Sequence, residues 1–330
     1  MLRSLQQRRS RAAIRNMARG ETVRTIFIAL AANVVISVAK LVAGIVSGST
    51  AMLAESAHSF ADSLNEVLLG ISLRRAKRPA DADHPFGHGR ERFLWAFMAA
   101  IASFLLGGCL SVAMALRELS RASHSVPATS ASVVLAIAFI ADGTSLVQSV
   151  RQARREASER GRGVIHHLLR SSDPILRAIV VEDGAAILGL ILAACGLLAS
   201  HVTGNNKPDS IAALLIGVLL GATAFGLARP LADFLVGRSL PADELEKLQR
   251  MVAASPAVEE LLSLHAVYIG PEEVIVAARI HPRSDLEIEE LTRAMDDVDQ
   301  ALRAASPFVA DVFLDVTTYR SDTRPKDQES

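Results

Sequence analysis

The sequence predicts a membrane α-helical protein: six transmembrane helices followed by a cytoplasmic α/β domain of αββαβ order, ferredoxin-like. Three observations predict it. Half of the 330 residues are apolar, and they gather in runs close to the length an α-helix needs to cross a bilayer. Lys and Arg concentrate in alternate loops between those runs. Beyond residue 237 the long apolar runs give way to short alternating ones, and the charge turns acidic.

The runs follow in order. Residues 23–47 hold a single Lys, Lys40, and residues 50–73 are apolar apart from one polar stripe. Residues 93–116 carry no charge, and residues 126–150 carry one acid, Asp142. The fifth run starts near Ile175 and is uncharged from 184 to 200; the sixth is uncharged from 211 to 228. So many buried-type segments in roughly two hundred residues leave too little polar surface for a soluble globule.

Seven Arg precede the first run, from Arg3 to Arg24. The loop after the second run holds Arg74, Arg75, Lys77, Arg78, Arg90 and Arg92, and the loop after the fourth holds Arg151, Arg154, Arg155, Arg160 and Arg162. The opposite side has Arg117, Arg121 and Lys207. The positive-inside rule therefore places both termini in the cytoplasm. The N-terminus begins with charge and lacks a small-residue cleavage site, unlike a cleaved signal. Beside membrane spans the Arg-rich runs read as topology determinants and anionic-lipid contacts, so no nucleic-acid partner is expected. Cys109 and Cys195 fall inside runs, form no CxxC pair, and are expected to pack as small apolar residues.

From Leu240 to Arg320 sixteen Asp and Glu face seven Lys and Arg, an excess of nine negative charges. Residues 241–254 read as a helix, and 262–269 and 274–280 as strands around the turn Gly270-Pro271-Glu272. Ser284-Asp-Leu-Glu287 reads as a capping box opening a helix to about Ala304, and 309–317 as a third strand. This order packs as an open sheet with helices on one face. Residues 321–330 are polar and expected to be disordered.

The chemistry concentrates in four places. Glu55, His58, Asp62 and Glu66 follow one helical stripe in the second run, with Asn65 beside it. Ionisable groups at membrane depth are costly and mark ion or proton pathways. His58 and Asp62, four residues apart, supply an imidazole and a carboxylate to one helix face, half of a tetrahedral zinc site. In the fifth run Glu182 and Asp183 are adjacent and diverge by about 100°, so one of them can face His58 squarely. Asp142 is open to a supporting role, a proton relay or pairing with Lys40. In the basic loop, Asp81, His84 and His88 have metal-ligand spacing, while Pro85, Gly87 and Gly89 argue for a turn. In the tail, His265 and His281 lie on the two hairpin strands and Asp315 on the last, where they could meet across the sheet. His166-His167 reads as an ordinary solvated pair.

Together these residues resemble the cation diffusion facilitators, metal–proton antiporters that export divalent metals from the cytoplasm. The specific parts are Gly-Ser-Thr-Ala-Met-Leu-Ala-Glu-Ser-Ala-His-Ser-Phe-Ala-Asp at 48–62 and Asp-His-Pro-Phe-Gly-His-Gly-Arg at 83–90. The resemblance covers residues 22–318. It implies that His58 and Asp62 form the second-span metal pair and that Asp81, His84 and His88 form the loop site. It implies that the tail is a dimerising, metal-sensing domain, with His265, His281 and Asp315 near its metal positions. The fifth span departs from the family pattern of His or Asp with an acid four residues on: Ala186 follows Glu182 and Ile187 follows Asp183.

The domain organisation expected is a basic N-terminal segment 1–21, a six-helix domain 22–236, a cytoplasmic regulatory and dimerisation domain 237–320, and a tail 321–330. Function follows from the resemblance and the ligand chemistry: a homodimeric exporter, exchanging a divalent transition metal for protons, in a bacterial-type plasma (inner) membrane. Zn²⁺, transported and also regulatory, is favoured by imidazole with carboxylate; Mn²⁺, Fe²⁺ and Co²⁺ stay open. Metal needs neutral imidazole and ionised carboxylate, so binding releases protons. A proton-coupled organic-cation transporter would want an aromatic cavity, and the chain has one Trp and two Tyr. A membrane-embedded enzyme would want a fuller set such as His-Glu-x-x-His, which is absent.

Overall fold

The computed structural model describes residues 30–120, 129–159 and 174–317, together with residue 163 and apart from residues 32, 272 and 307. The N-terminal segment 1–21, the His166-His167 pair and residues 321–330 lie outside them. The chain forms two compact units. One comprises the described residues up to Ile71 with Ala96–Arg229, and the other Ser72–Trp95 with the chain from Pro230 onward.

The helices are α1 (Asn33–Ser47), α2 (Thr50–Arg75), α3 (Glu91–Leu119), α4 (Thr129–Glu159), α5 (Pro174–Thr203) and α6 (Lys207–Val236). Four of them contain segments long and apolar enough to cross a membrane: Glu91–Leu119, Ala131–Ser158, Arg177–Thr203 and Lys207–Val236. The sequence led us to expect six. The described part of α1 is apolar but short. α2 has the length, at 26 residues, but its polar stripe dilutes the apolar character.

In the first unit, α1 shows how the sequence sorts its faces. Val35, Val38, Val42 and Ile45 are exposed, while Ser37, Lys40, Ala43 and Ser47 are buried. The apolar stripe therefore faces outward and the polar one inward, the arrangement a hydrocarbon solvent demands. Cys109 and Cys195 are exposed as well, a correction to the expectation that they pack inside.

Helix contacts run through small residues. Residues Phe104–Cys109 of α3 form a π-helical turn that buries Gly107 and Gly108. A Cβ at Gly108 would come within 2.9 Å of Gly221 Cα in α6, and one at Gly217 within 2.8 Å of Val112 N. Only glycine permits this backbone approach, the close packing small residues give membrane helices. At the other end of α6, Asp209 accepts from Ser49 Oγ at 2.7 Å and from Ala51 N at 3.1 Å. A carboxylate from α6 thus satisfies donors at the N-terminus of α2.

The second unit contains α7 (Ala242–Ala253), β1 (Val258–Gly270), β2 (Glu273–Pro282), α8 (Ile288–Ala305) and β3 (Val309–Val316). β1 pairs antiparallel with β2, and β2 parallel with β3, in the order β1-β2-β3. Parallel neighbours need a crossover, which α8 supplies. Along β2, Val274, Val276, Ala278 and Ile280 are buried while Ala277 and Arg279 are exposed. That period of two buries one face of β2; α7 packs on β1 and α8 on α7 and β3, and the helices bury Leu248, Val252, Val298 and Leu302. The capping box sits one turn later than expected: Glu287 is the N-cap and Glu290 its partner three residues on.

The loop 72–95 belongs to this second unit. Phe93 stacks on Phe234 at 4.6 Å, and Phe234 meets Tyr268 of β1 edge-on at 5.4 Å. Phe86 meets Phe313 of β3 edge-on at 6.1 Å. A Cβ at Gly89 would lie 2.6 Å from Ile269 O, so the loop backbone sits directly on the β1–β2 turn.

Candidate metal centres

The polar stripe of α2 points into the bundle. Glu55 and His58 are buried, and His58 Nε2 lies 3.5 Å from Asp62 Oδ2. His58 Nε2, Asp62 Oδ1 and Asp183 Oδ2 are buried with no hydrogen-bond partner among the described residues. Buried polar atoms are normally paired, because leaving one unpaired costs about 1–3 kcal/mol. Imidazole nitrogen and carboxylate oxygen are also the donor types that bind a borderline divalent ion. The donor set therefore fits a divalent cation.

The two fifth-helix acids diverge as adjacent helix positions must. Glu182 accepts from Asn65 Nδ2 at 3.0 Å, and Asn65 also donates to Ser103 at 2.7 Å. Asp183 accepts from Ser145 Oγ of α4 at 3.1 Å. Glu182 shares a narrow cavity with His58, Ser103 and Thr223. Both acids lie within electrostatic reach of Asp62. The four residues surround one region but do not close on a point: among the described residues of the bundle, no three His, Cys, Asp or Glu bring ligand atoms within 4.8 Å of one another.

Three contacts here were not foreseen from sequence. Asn65 links α2, α3 and Glu182; Asn33 donates to Glu66 at 2.6 Å. Gly189 of α5 leaves a notch for the Glu55 carboxylate, which a Cβ there would overlap. The only sequence signal for Asn65 was its place beside the stripe. Asp142, left open above, pairs with Lys40.

The loop cluster is assembled. Ligand atoms of Asp81, His84 and His88 all lie within 4.8 Å of one another. The turn that gathers them has Asp81 N donating to His84 O at 3.1 Å and Gly87 N to the same oxygen at 2.9 Å. Gly87 has φ 76°, a backbone conformation glycine adopts without a Cβ penalty. Asp81 accepts from His84 N at 2.7 Å and Asp83 N at 3.0 Å, and its other oxygen lies 2.9 Å from His88 Nε2. The His88 contact, helped by those amides, holds the Asp81 carboxyl down at about 2. The other His88 nitrogen lies 3.1 Å from Glu91, which also accepts from Trp95 Nε1 at 3.0 Å. Glu91 was missed from sequence, although it stands three residues after His88 at the start of a helix.

The tail trio is not assembled within the chain. His265 pairs with Ala277 across the hairpin, and His281 with Glu260. Four residues of β2 therefore separate the two histidines, roughly 13 Å at strand rise. Asp315 faces Arg279 and accepts from it at 2.7 Å. The register, invisible in the sequence, moves His265, His281 and Asp315 apart.

Residues 26–236 match the cation efflux transmembrane domain. The chain is 32% identical over 225 residues to metal tolerance protein C4 of Arabidopsis thaliana, covering 68% of this chain and 49% of that protein. It is 28% identical over 270 residues to the mitochondrial proton-coupled zinc antiporter SLC30A9 of Homo sapiens, covering 79% and 47%. It is 23% identical over 299 residues to the manganese efflux system protein MneP of Bacillus subtilis (strain 168), covering 85% and 94%. The chain thus spans about half the length of the plant and human relatives. With the matched domain covering most of the chain and the polar stripe lying inside it, the chain belongs to the cation efflux family, the cation diffusion facilitators.

Proposed function

We propose that this protein is a secondary active transporter, not an enzyme, that exports a divalent transition metal in exchange for protons, with zinc favoured. The observation that carries the reading is the His58–Asp62 pair, whose buried, unpartnered ligand atoms share the bundle interior with Glu182 and Asp183. His58 gives a nitrogen, Asp62 an oxygen, and one of the fifth-helix acids a further oxygen. Glu182 is the stronger choice for cargo because it shares the cavity with His58; Asp183 is tied to α4 through Ser145. A metal ion requires these ligands deprotonated, so protons leave the site as metal enters and return as it departs. The open arrangement of the four residues suits a site that must bind and then release.

In the same reading all six helices cross the membrane, α2 being tolerated there because its polar stripe faces the bundle. Both termini are cytoplasmic, and the protein works as a homodimer. Asp81, His84 and His88 hold a second metal on the cytoplasmic side. The relatives, among them a zinc antiporter and a manganese efflux protein, support the substrate class. Acids outnumber imidazoles around His58, which keeps harder ions such as Mn²⁺ in view as cargo.

The test is transport by the full chain in proteoliposomes with an imposed pH gradient, across a panel of Zn²⁺, Mn²⁺, Fe²⁺ and Co²⁺. Metal flux that depends on the gradient and is lost in His58→Ala supports the proposal. Gradient-driven uptake of an organic cation with no metal flux overturns it.

A further inference from the structure

One fully buried ionic group of the bundle lies outside the proposed metal-ligand set. Lys40 of α1 is fully buried. Its ammonium has three N–H donors, and three acceptors surround it: Ser59 Oγ at 2.8 Å, Glu55 Oε2 at 3.2 Å and Asp142 Oδ2 at 3.4 Å. One cation thus ties α1, α2 and α4 together and faces two carboxylates. Glu55 itself is fully buried, and its second oxygen, Oε1, has no hydrogen-bond partner among the described residues. That oxygen occupies the notch at Gly189 of α5. On α2, Glu55 and Ser59 bracket His58, three residues before it and one after. Lys40 and Asp142 both act electrostatically on His58 and on Asp62.

Resting on the transport reading above, we infer that Lys40 is a built-in counter-ion that sets how tightly the cargo is held. Without it, Glu55, Asp142, Asp62 and Asp183 would present their charges to a divalent ion in a medium that screens them poorly. Such a site would bind strongly and release slowly, and transport needs binding weak enough for the ion to leave. Lys40 opposes this in two ways. It neutralises part of the acidic charge, and it holds Glu55 and Asp142 in directed contacts away from the His58–Asp62 pair. It is a positioning residue, acting on the metal through the acids and through its own charge.

The inference makes opposite predictions for opposite charge changes, read as KM and kcat for zinc in reconstituted full-length protein. Lys40→Met is expected to lower KM by about tenfold or more and to lower kcat with it, as a tighter site releases more slowly. Asp142→Asn is expected to raise KM, because Lys40 then loses one of its two carboxylate partners and repels the ion more. The double variant, which removes one charge of each sign, is expected to return KM toward that of the unmodified protein. A purely structural role for Lys40 would lower the amount of folded protein or kcat without lowering KM, and the double variant would be no better; that pattern overturns the inference. Should Lys40→Met fail to fold, the decision rests on Asp142→Asn, where an unchanged or lowered KM overturns it. The unmodified protein separates the two claims: no divalent-metal flux sinks the transport reading, whereas normal flux with charge-insensitive KM values sinks only the role given to Lys40.

Discussion

The two His/Asp constellations are built in opposite ways. In the loop, Asp81, His84 and His88 come from eight consecutive residues, and a glycine turn brings their ligand atoms within 4.8 Å. In the bundle, His58 and Asp62 come from α2 and Glu182 and Asp183 from α5, each acid already held by a neighbour: Asn65 for one, Ser145 for the other. The loop cluster is closed before any metal arrives, but His88 must give up a carboxylate contact to bind one. The bundle set is open, with ligand atoms left unpartnered. A site made by one turn suits retention. A site made by several helices changes when the helices move, which is what transport across a barrier requires.

The sharpest way to break this comparison is to remove the bundle ligands. His58→Ala or Asp62→Ala is expected to reduce zinc transport by more than about a hundredfold, since even partners behind the ligands of metal sites cost 10–100-fold. Folding should survive, because neither side chain carries a hydrogen bond the bundle depends on. Transport rates near those of the unmodified protein in both folded variants would remove the α2 pair from the pathway. Next in size is the fifth helix. Glu182→Gln is expected to cost roughly 10–100-fold in transport, and Asp183→Asn clearly less, because Asp183 is turned toward α4. Equal losses would mean that both acids bind cargo; an effect larger at Asp183 would reverse the assignment.

What the sequence revealed, and what it hid, divides along the same line. The α2 stripe is a single-helix pattern, so spacing alone placed Glu55, His58 and Asp62 on one face. The loop cluster is likewise local, and so is the αββαβ order of the tail, whose β2 alternates as its sequence does. Contacts between distant segments were hidden. Asn65 to Glu182, Lys40 to Asp142 and Gly189 to Glu55 each depend on helix rotation, which hydropathy does not report. Strand register hid the separation of His265 from His281, because the periodicity of each strand is the same at any pairing. Four of the described helices are long and apolar enough to span, two fewer than the sequence predicts, and for α2 the reason is physical: the helix with the most chemistry is the one whose composition least resembles a membrane span.

The loop can be tested against the bundle directly. Removing His84 and His88 together is expected to lower zinc bound at saturation by one ion per protomer, with a smaller loss of transport than His58→Ala causes. Equilibrium binding on the purified full chain, alongside flux in proteoliposomes, checks both halves. Unchanged stoichiometry would make the Pro85-Phe86-Gly87 turn a purely structural device that seats the loop on Phe313 and the β1–β2 turn.

The smallest effect concerns pH at Asp81. Its carboxyl is held down at about 2 by His88, with help from the His84 and Asp83 amides. A depressed carboxyl favours the folded loop above its ordinary value near ~3.9, and that contribution disappears as pH falls through about 2. From about pH 4 to pH 8 Asp81 therefore stays ionised, and its protonation cannot govern metal release in that window. Zinc needs its ligands deprotonated, so acid release of zinc from the loop above about pH 4 is expected to be driven at the imidazoles and not at Asp81. Asp81→Asn should weaken loop binding by about tenfold through loss of a charged ligand, and at a fixed zinc concentration that weaker binding moves acid release to higher pH. The measurement is zinc binding as a function of pH on the full chain, in an Asp62→Ala background so that the loop is read apart from the bundle. Unchanged zinc affinity at pH 7 in Asp81→Asn would show that the carboxylate is not a ligand and serves only to order the turn through His84, Asp83 and His88.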